Sequence, residues 1–319
     1  MNQHTWMAVL SVLAVTAAAG TAHAAIVDGF GDGDRDNDGS LEGPLTDPGD
    51  VGIEWYSIGG TTSGGNLKPE PSIADDAAGL GSGNALFVQA RGSNAEMAGF
   101  FGQKLSLGSN LGDTMTVSFD VRLNATSEPL ADLSNSAEFR FGLYSSDQPI
   151  GTGGFGTSDG DFDGGSNPGV GDDSGFMFRT PIGDAEPAGV KSRIVYEPDN
   201  PDNILGGSGT ETIKDEEGFG GMYDELKHTF SVEFERIAGA PGEDILITWM
   251  IDGNTLSDTT VGEGLPASTD LVSFDYFAAI TTGDMDWVID NFSINLVPAP
   301  GAAAVLGAAG FAAGIRRRR

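Results

Sequence analysis

The chain has 319 residues, with 49 Gly, 15 Pro, no Cys, and 16 Lys and Arg against 47 Asp and Glu. The absence of cysteine excludes disulfide frameworks, thiolate metal sites and thiol nucleophiles. Four of the basic residues close the chain, so 12 basic residues stand against 47 acidic ones in residues 25–298, a net charge of −35 that excludes nucleic acid as a partner.

The first 24 residues have the pattern of an export signal. An apolar run over residues 6–20 leads into Ala22, His23 and Ala24, the small-x-small pattern that signal peptidase accepts. We therefore expect the export machinery and signal peptidase as partners, with a signal helix at 1–24 that is removed before Ala25. A retained membrane anchor, the alternative, needs about 20 apolar residues, whereas this run has 15.

Two acidic loops repeat the pattern Asp-x-Asp-x-Asp-Gly, the first half of an oxygen-ligand calcium loop. Glu42 occupies position nine of the first loop, but position twelve holds Leu45 or Val170 where a complete loop has an acid. The pattern favours partial ligation of Ca²⁺, and the alternative is that Asp and Gly simply form turns. The expected ligands are Asp34, Asp36, Asp38 and Glu42 in the first loop and Asp159, Asp161 and Asp163 in the second.

Apolar and polar residues alternate with period two along residues 25–296, which predicts β-strands. Residues 114–123 are the clearest case, because every apolar side chain there falls on one face. Further strands are predicted at 53–58, 85–90, 98–107, 137–143, 175–180, 190–196, 230–235, 245–251, 255–256, 271–280 and 287–296. Strands in this number, with no long helical pattern, predict one all-β domain in which two antiparallel sheets form a β-sandwich.

The closing segments carry a family likeness. They read Leu-Ile-Thr-Trp-Met-Ile-Asp-Gly at 246–253 and Trp-Val-Ile-Asp-Asn-Phe-Ser-Ile at 287–294. This resembles the last strands of a concanavalin-A-like lectin/glucanase jelly roll, where an Ile-Asp-Gly hairpin and an Ile-Asp-Asn-Phe final strand recur. The resemblance implies a jelly-roll fold and, by analogy with its carbohydrate-binding modules, a structural cation held by Asp290 and an N-terminal acid. The alternative for Asp290 is a hydrogen bond to a neighbouring loop.

Sugar binding requires exposed aromatic rings on which sugar rings stack. The alternative is that these rings fill the sandwich, which is the usual place for large aromatic side chains. The candidate glycan-binding residues are Trp55, Tyr144, Tyr196, Tyr276 and Trp287.

No catalytic residue is predicted. Glucanases of the jelly-roll class carry two Glu flanking an Asp on one strand, and the chain has no such run. After removal of the signal the chain keeps one histidine, His228, at the start of an alternating strand, where a packed or edge position is more common than a general base.

The last 23 residues have the pattern of a second targeting signal. Pro298-Ala299-Pro300 precedes an apolar segment at 301–315, which predicts a short helix, and the chain ends in Arg316, Arg317, Arg318 and Arg319. This tail resembles the PEP-CTERM sorting signal of exported bacterial proteins, with Ala299 in place of the central Glu. The resemblance implies an exosortase-type protease as a partner and transient membrane contact through the tail at 297–319.

These patterns predict an exported cell-surface or extracellular-matrix protein that binds glycan without catalysis and holds a structural calcium. Two alternatives remain open: a structural or adhesive envelope protein with no small ligand, and a divergent glycan hydrolase or lyase.

Overall fold

The computed structural model describes residues 23–30, 52–57, 72–75, 80, 83–89, 94–108, 110–125, 137–145, 174–182, 192–197, 212–217, 222, 224–238, 245–261, 273–282 and 285–299. Most of the expected signal helix, the two acidic loops and the apolar tail segment with its four arginines lie outside these residues. Within the described ranges we find no apolar helix of membrane-spanning length.

The described residues form fifteen β-strands and no helix. The strands are β1 (His23–Asp28), β2 (Ile53–Ser57), β3 (Ser72–Asp75), β4 (Asn84–Val88), β5 (Asn94–Ser106), β6 (Thr114–Ala125), β7 (Glu138–Ser145), β8 (Ser174–Pro181), β9 (Ser192–Glu197), β10 (Thr212–Glu217), β11 (His228–Arg236), β12 (Ile245–Ile251), β13 (Asn254–Val261), β14 (Ser273–Thr282) and β15 (Met285–Val297).

The strands form two sheets whose strand pairs are all antiparallel. The first has eight strands in the order β13-β12-β11-β6-β15-β4-β3, with β1 also paired to β15. The second has seven in the order β10-β9-β8-β7-β14-β5-β2. Because β4, β5, β6 and β7 alternate between the sheets, the chain crosses the core repeatedly. The predicted antiparallel jelly-roll sandwich is confirmed.

The alternation of residue types indicates twelve of these strands and does not indicate β1, β3 or β10. β10 reads Thr-Ile-Lys-Asp-Glu-Glu, with a single apolar side chain, and it pairs with β9 at the edge of the second sheet. An edge strand of this kind is held by backbone hydrogen bonds, which leave no hydropathy pattern. β1 spans the expected cleavage point between Ala24 and Ala25, and cleavage there stays a prediction.

Aromatic rings from both sheets fill the core. Phe119 of β6 stacks on Phe230 at 5.5 Å between ring centroids, and contacts Phe141 and Phe277 of the second sheet edge to face at 5.0 and 5.3 Å. All four rings are at most 1% exposed. Ring pairs in these geometries add to the free energy gained from burying apolar area.

We expect Phe119→Ala to lower the free energy of unfolding by about 3–5 kcal/mol, because it leaves a cavity where the two sheets meet. Urea denaturation followed by tryptophan fluorescence measures this change. The control is Leu226→Ala, since Leu226 is 66% exposed and its truncation should change stability by less than about 0.5 kcal/mol. Equal destabilisation by the two variants would contradict the proposed core.

Candidate functional site

The seven-stranded sheet carries buried apolar side chains on both faces. One face packs into the core between the sheets, and we call the other the outer face. Tyr144, Tyr276, Phe100 and Tyr56 come from neighbouring strands of the outer face, and each is at most 1% exposed. Successive rings lie 5.4, 5.3 and 6.0 Å apart, so they form one continuous aromatic strip across β7, β14, β5 and β2.

The residues beside the strip are small, which lets the rings lie flat on the sheet. Ala278 pairs with Ala98 on one side and with Gly142 on the other. A Cβ atom at Gly142 would lie 2.5 Å from Cε2 of Tyr144, so the tyrosine ring occupies the space that a side chain would take. Position 142 therefore requires glycine for close approach of the ring.

Three arginines line up one step further along the same face. Arg140 of β7 pairs with Arg179 of β8, and Arg179 pairs with Arg193 of β9. Each alternates with core-facing neighbours such as Phe141, Phe178 and Ile194, so the three side chains point to the outer face. We call Arg140, Arg179 and Arg193 the arginine row. Like charges directly opposite each other on a sheet are destabilising, so such a row requires anionic partners.

Glu138 supplies one such partner. Arg140 Nε donates to Glu138 Oε2 at 2.6 Å, while Arg179 Nη2 donates to Oε1 at 3.1 Å and to Oε2 at 2.9 Å. The side chains of Arg140, Arg179 and Glu138 are 15%, 14% and 14% exposed. Charge-assisted hydrogen bonds fix the two guanidinium groups side by side at the solvent boundary.

A second polar group involves Ser145 and Asp275, the chain neighbours of Tyr144 and Tyr276. Lys104 Nζ donates to Ser145 Oγ at 2.9 Å and lies 3.4 Å from Asp275 Oδ2. The lysine side chain is 44% exposed. The seven-stranded sheet thus carries a buried aromatic strip, the arginine row on β7, β8 and β9, and one further cationic side chain, Lys104 of β5.

The structure corrects the expectation that Trp55, Tyr144, Tyr196, Tyr276 and Trp287 offer exposed rings, because each is at most 1% exposed. Trp55, Tyr196 and Trp287 point into the core between the sheets. Tyr144 and Tyr276 belong to the outer face, as does Tyr56, and they are buried there as well. The alternative, that large rings fill the fold, describes all five.

Asp290 lies opposite Asp120 in the register of β15 and β6 and is 1% exposed. The Asn291 side-chain amide donates to Asp120 Oδ2 at 2.9 Å and to Asp290 Oδ2 at 3.3 Å, and Lys227 Nζ lies 3.1 Å from Asp120 Oδ2. An amide and an ammonium group therefore contact this pair of carboxylates. Asp28, an N-terminal acid, accepts from Trp55 Nε1 at 2.7 Å.

The other expected metal ligands, which are Asp34, Asp36, Asp38, Glu42, Asp159, Asp161 and Asp163, lie outside the described residues. Among the residues that the structure does describe, no group of three or more His, Cys, Asp or Glu is placed to hold a metal ion. Calcium binding stays a prediction.

His228 is held between two acids. Its Nδ1 lies 2.8 Å from Asp252 Oδ2 and its Nε2 lies 3.0 Å from Asp224 Oδ1. A histidine ring donates to both neighbours only when both nitrogens carry protons. Asp252 also accepts from the backbone N–H of Thr229 at 2.9 Å, so the contact ties the β12–β13 turn to the start of β11.

The arginine row was not predicted from the sequence. Arg140 and Arg179 do stand at outward-facing positions of predicted alternating strands, which is the available signal. Their register across three strands is not visible in the sequence.

No family model and no curated protein matches the chain. Among solved structures it is similar to the potassium-bound carbohydrate recognition domain of Emp46p, with a TM-score of 0.46 and 12% identity over 80% of this chain and 93% of that one. It is also similar to a Bacillus subtilis protein with a galectin-like fold (TM-score 0.42, 10% identity, 80% and 94% covered) and to a carbohydrate esterase of the Shiga toxin-encoding bacteriophage phi24B (TM-score 0.42, 14% identity, 87% and 100% covered). These likenesses concern the lectin-like jelly-roll fold and carry no residue roles.

We expect Glu138→Gln to lower the free energy of unfolding by about 2–3 kcal/mol, because it removes a half-buried negative charge from between two guanidinium groups. Chemical denaturation measures the change. Asp258→Asn, at an exposed position of β13, is the matched control and should stay within about 0.5 kcal/mol of the wild type. An unchanged midpoint for Glu138→Gln would show that Glu138 does not hold the arginine row together.

Proposed function

We propose that the chain is an exported surface or matrix protein whose sandwich binds a carboxylate-bearing glycan, without catalysis, at the arginine row. The observation that carries this proposal is the register of Arg140, Arg179 and Arg193 on three adjacent strands of one face. The guanidinium group is a pure donor whose planar fork matches a carboxylate. Adjacent strands lie about 4.8 Å apart, so the row spaces its guanidinium groups for a polymer with acidic groups along its length. Such a polymer would share Arg140 and Arg179 with Glu138.

The negative charge of the rest of the chain opposes binding of a polyanion elsewhere on the surface. With a formal net charge of −31, most of the surface repels a polyanion. Local guanidinium groups act at contact distance, whereas the repulsion acts over the Debye length and is screened by salt. Moderate salt should therefore weaken the repulsion more than the contacts.

We propose that the segment at 1–24 directs export of the protein and that the tail at 297–319 is sorted like a PEP-CTERM signal. The order of apolar and basic segments at the two ends supports both proposals. The expected location is the cell surface or the exterior, with transient attachment of the tail to the membrane.

We expect Arg140→Gln and Arg179→Gln each to weaken binding of polyuronate oligosaccharides by about tenfold, since each removes a charged donor. Isothermal titration against polyuronate and against a neutral glucan measures the effect. Arg236→Gln is the matched control because Arg236 lies on β11 of the other sheet and its side chain is not buried.

Wild-type binding to neutral glucan alone, or equal losses in all three variants, would remove the arginine row as the site. Absence of binding to every glycan would favour the structural or adhesive alternative. Shortening of the oligosaccharides during the titration would favour a hydrolase or lyase.

We also propose that the first acidic loop binds a structural Ca²⁺, supported by its alternate carboxylates followed by glycine. Calcium should then raise the melting temperature of the wild type, and Asp34→Ala combined with Asp36→Ala should abolish this increase. Thermal melts with calcium and with chelator measure it. An equal calcium-dependent increase in the double variant would exclude the first loop as the site.

A further inference from the structure

The end of β15 is held by a side chain where the sheet ladder stops. Val297 pairs with Thr114 at the start of β6. The next residue, Pro298, has no N–H and cannot donate to a ladder. The backbone N–H of Ala299 donates instead to Oδ1 of Asp113 at 2.6 Å, a contact between residues 186 positions apart in the chain.

Asp113 is built into the sandwich and is only 2% exposed. Its Oδ2 accepts from the backbone N–H of Asn110 at 2.7 Å and from the Asn110 side-chain amide at 3.3 Å. Its own backbone carbonyl accepts from Arg236 N–H at 2.9 Å, and Gly112 N–H donates to the Arg236 carbonyl at 2.7 Å. The carboxylate is therefore held by contacts that do not involve β15, and the groups that contact it are all donors.

We propose that Asp113 docks the Pro298–Ala299 segment onto the sandwich and thereby protects the backbone of the sorting motif from proteases. Proteases commonly take their substrates as extended strands that pair through backbone N–H and C=O groups. While the Ala299 N–H is bound to Asp113 it is not available for such pairing, so undocking precedes hydrolysis of the neighbouring peptide bonds by water. The fold then sets the rate at which the motif can be processed.

This inference does not depend on glycan or calcium. It rests on the proposed sorting only for its biological purpose, because the docking contact belongs to the folded sandwich. A small residue suits the docked position, since Ala299 lies against the turn: a Cβ atom at Gly112 would be 3.5 Å from the Ala299 Cβ.

Amide hydrogen exchange of the full chain, followed by NMR, tests the docking directly. We expect the Ala299 amide to exchange about 10- to 100-fold more slowly than in a free peptide of the same sequence, as a charge-assisted hydrogen bond implies. In Asp113→Asn a single side-chain oxygen remains for donors on both sides, so Ala299 exchange should accelerate about tenfold or more. Cleavage of the Pro298–Ala299 bond by a proline-specific endoprotease, which hydrolyses the bond that follows proline, should accelerate by a similar factor.

Asn110→Ala is the matched control. It removes one donor to Oδ2 but leaves Oδ1 with Ala299, so Ala299 protection should persist. The amide of Ile289, in the middle of β15, reports whether the sheet itself remains intact.

Free-peptide exchange at Ala299 in the wild type would overturn the proposal, and so would unchanged exchange and cleavage in Asp113→Asn. If Asp113→Asn also loses protection at Ile289, the wild-type comparison with the free peptide decides the question. Unprocessed tail in cells even for Asp113→Asn, whose Ala299 amide is then unprotected, would count against the proposed sorting and would leave the docking contact unaffected.

Discussion

The two sheets are held together by aromatic rings that meet around Phe119. This residue lies on β6, which pairs with β11 on one side and β15 on the other, so the ring stands at the centre of the first sheet. Phe141 and Phe277 meet it from β7 and β14 of the second sheet. The same strand positions two carboxylates, because Asp113 immediately precedes β6 and Asp120 lies within it. The arginine row depends on the same packing, because the core-facing rings fix which side of each strand faces outward.

Alternation of residue types was enough to predict most strands and the two-layer architecture, because one dry layer between two sheets imposes period two on every strand that borders it. It was not enough to say which rings are accessible. On an ordinary sandwich an outward-facing tyrosine is exposed, but here the outer face of the second sheet is itself apolar. Tyr144 and Tyr276 are therefore buried on a face that alternation assigns to solvent.

The candidate site could not be predicted for a different reason. Arg140, Arg179 and Arg193 come from three strands, of which β7 and β8 are separated by a long Gly- and Asp-rich segment, and only the strand register aligns them. The contact between Asp113 and Ala299 joins positions even further apart. Nothing in the sequence around Asp113, which precedes a strand, or around Ala299, which lies between two prolines, indicates that the two residues are in contact. Hydropathy periods report which face a residue occupies, whereas sites of this kind are made by pairing across the sheet.

The pairing of β1 with β15 brings both ends of the folded body to one corner. Ile26 lies opposite Ile294, so the chain enters and leaves the sandwich side by side even after removal of residues 1–24. A tether at either terminus would attach the molecule at the same corner, and the rest of its surface could rotate about that attachment point. Fusion partners or labels added at the two ends would accordingly crowd each other, and shortening one end would change the exposure of the other.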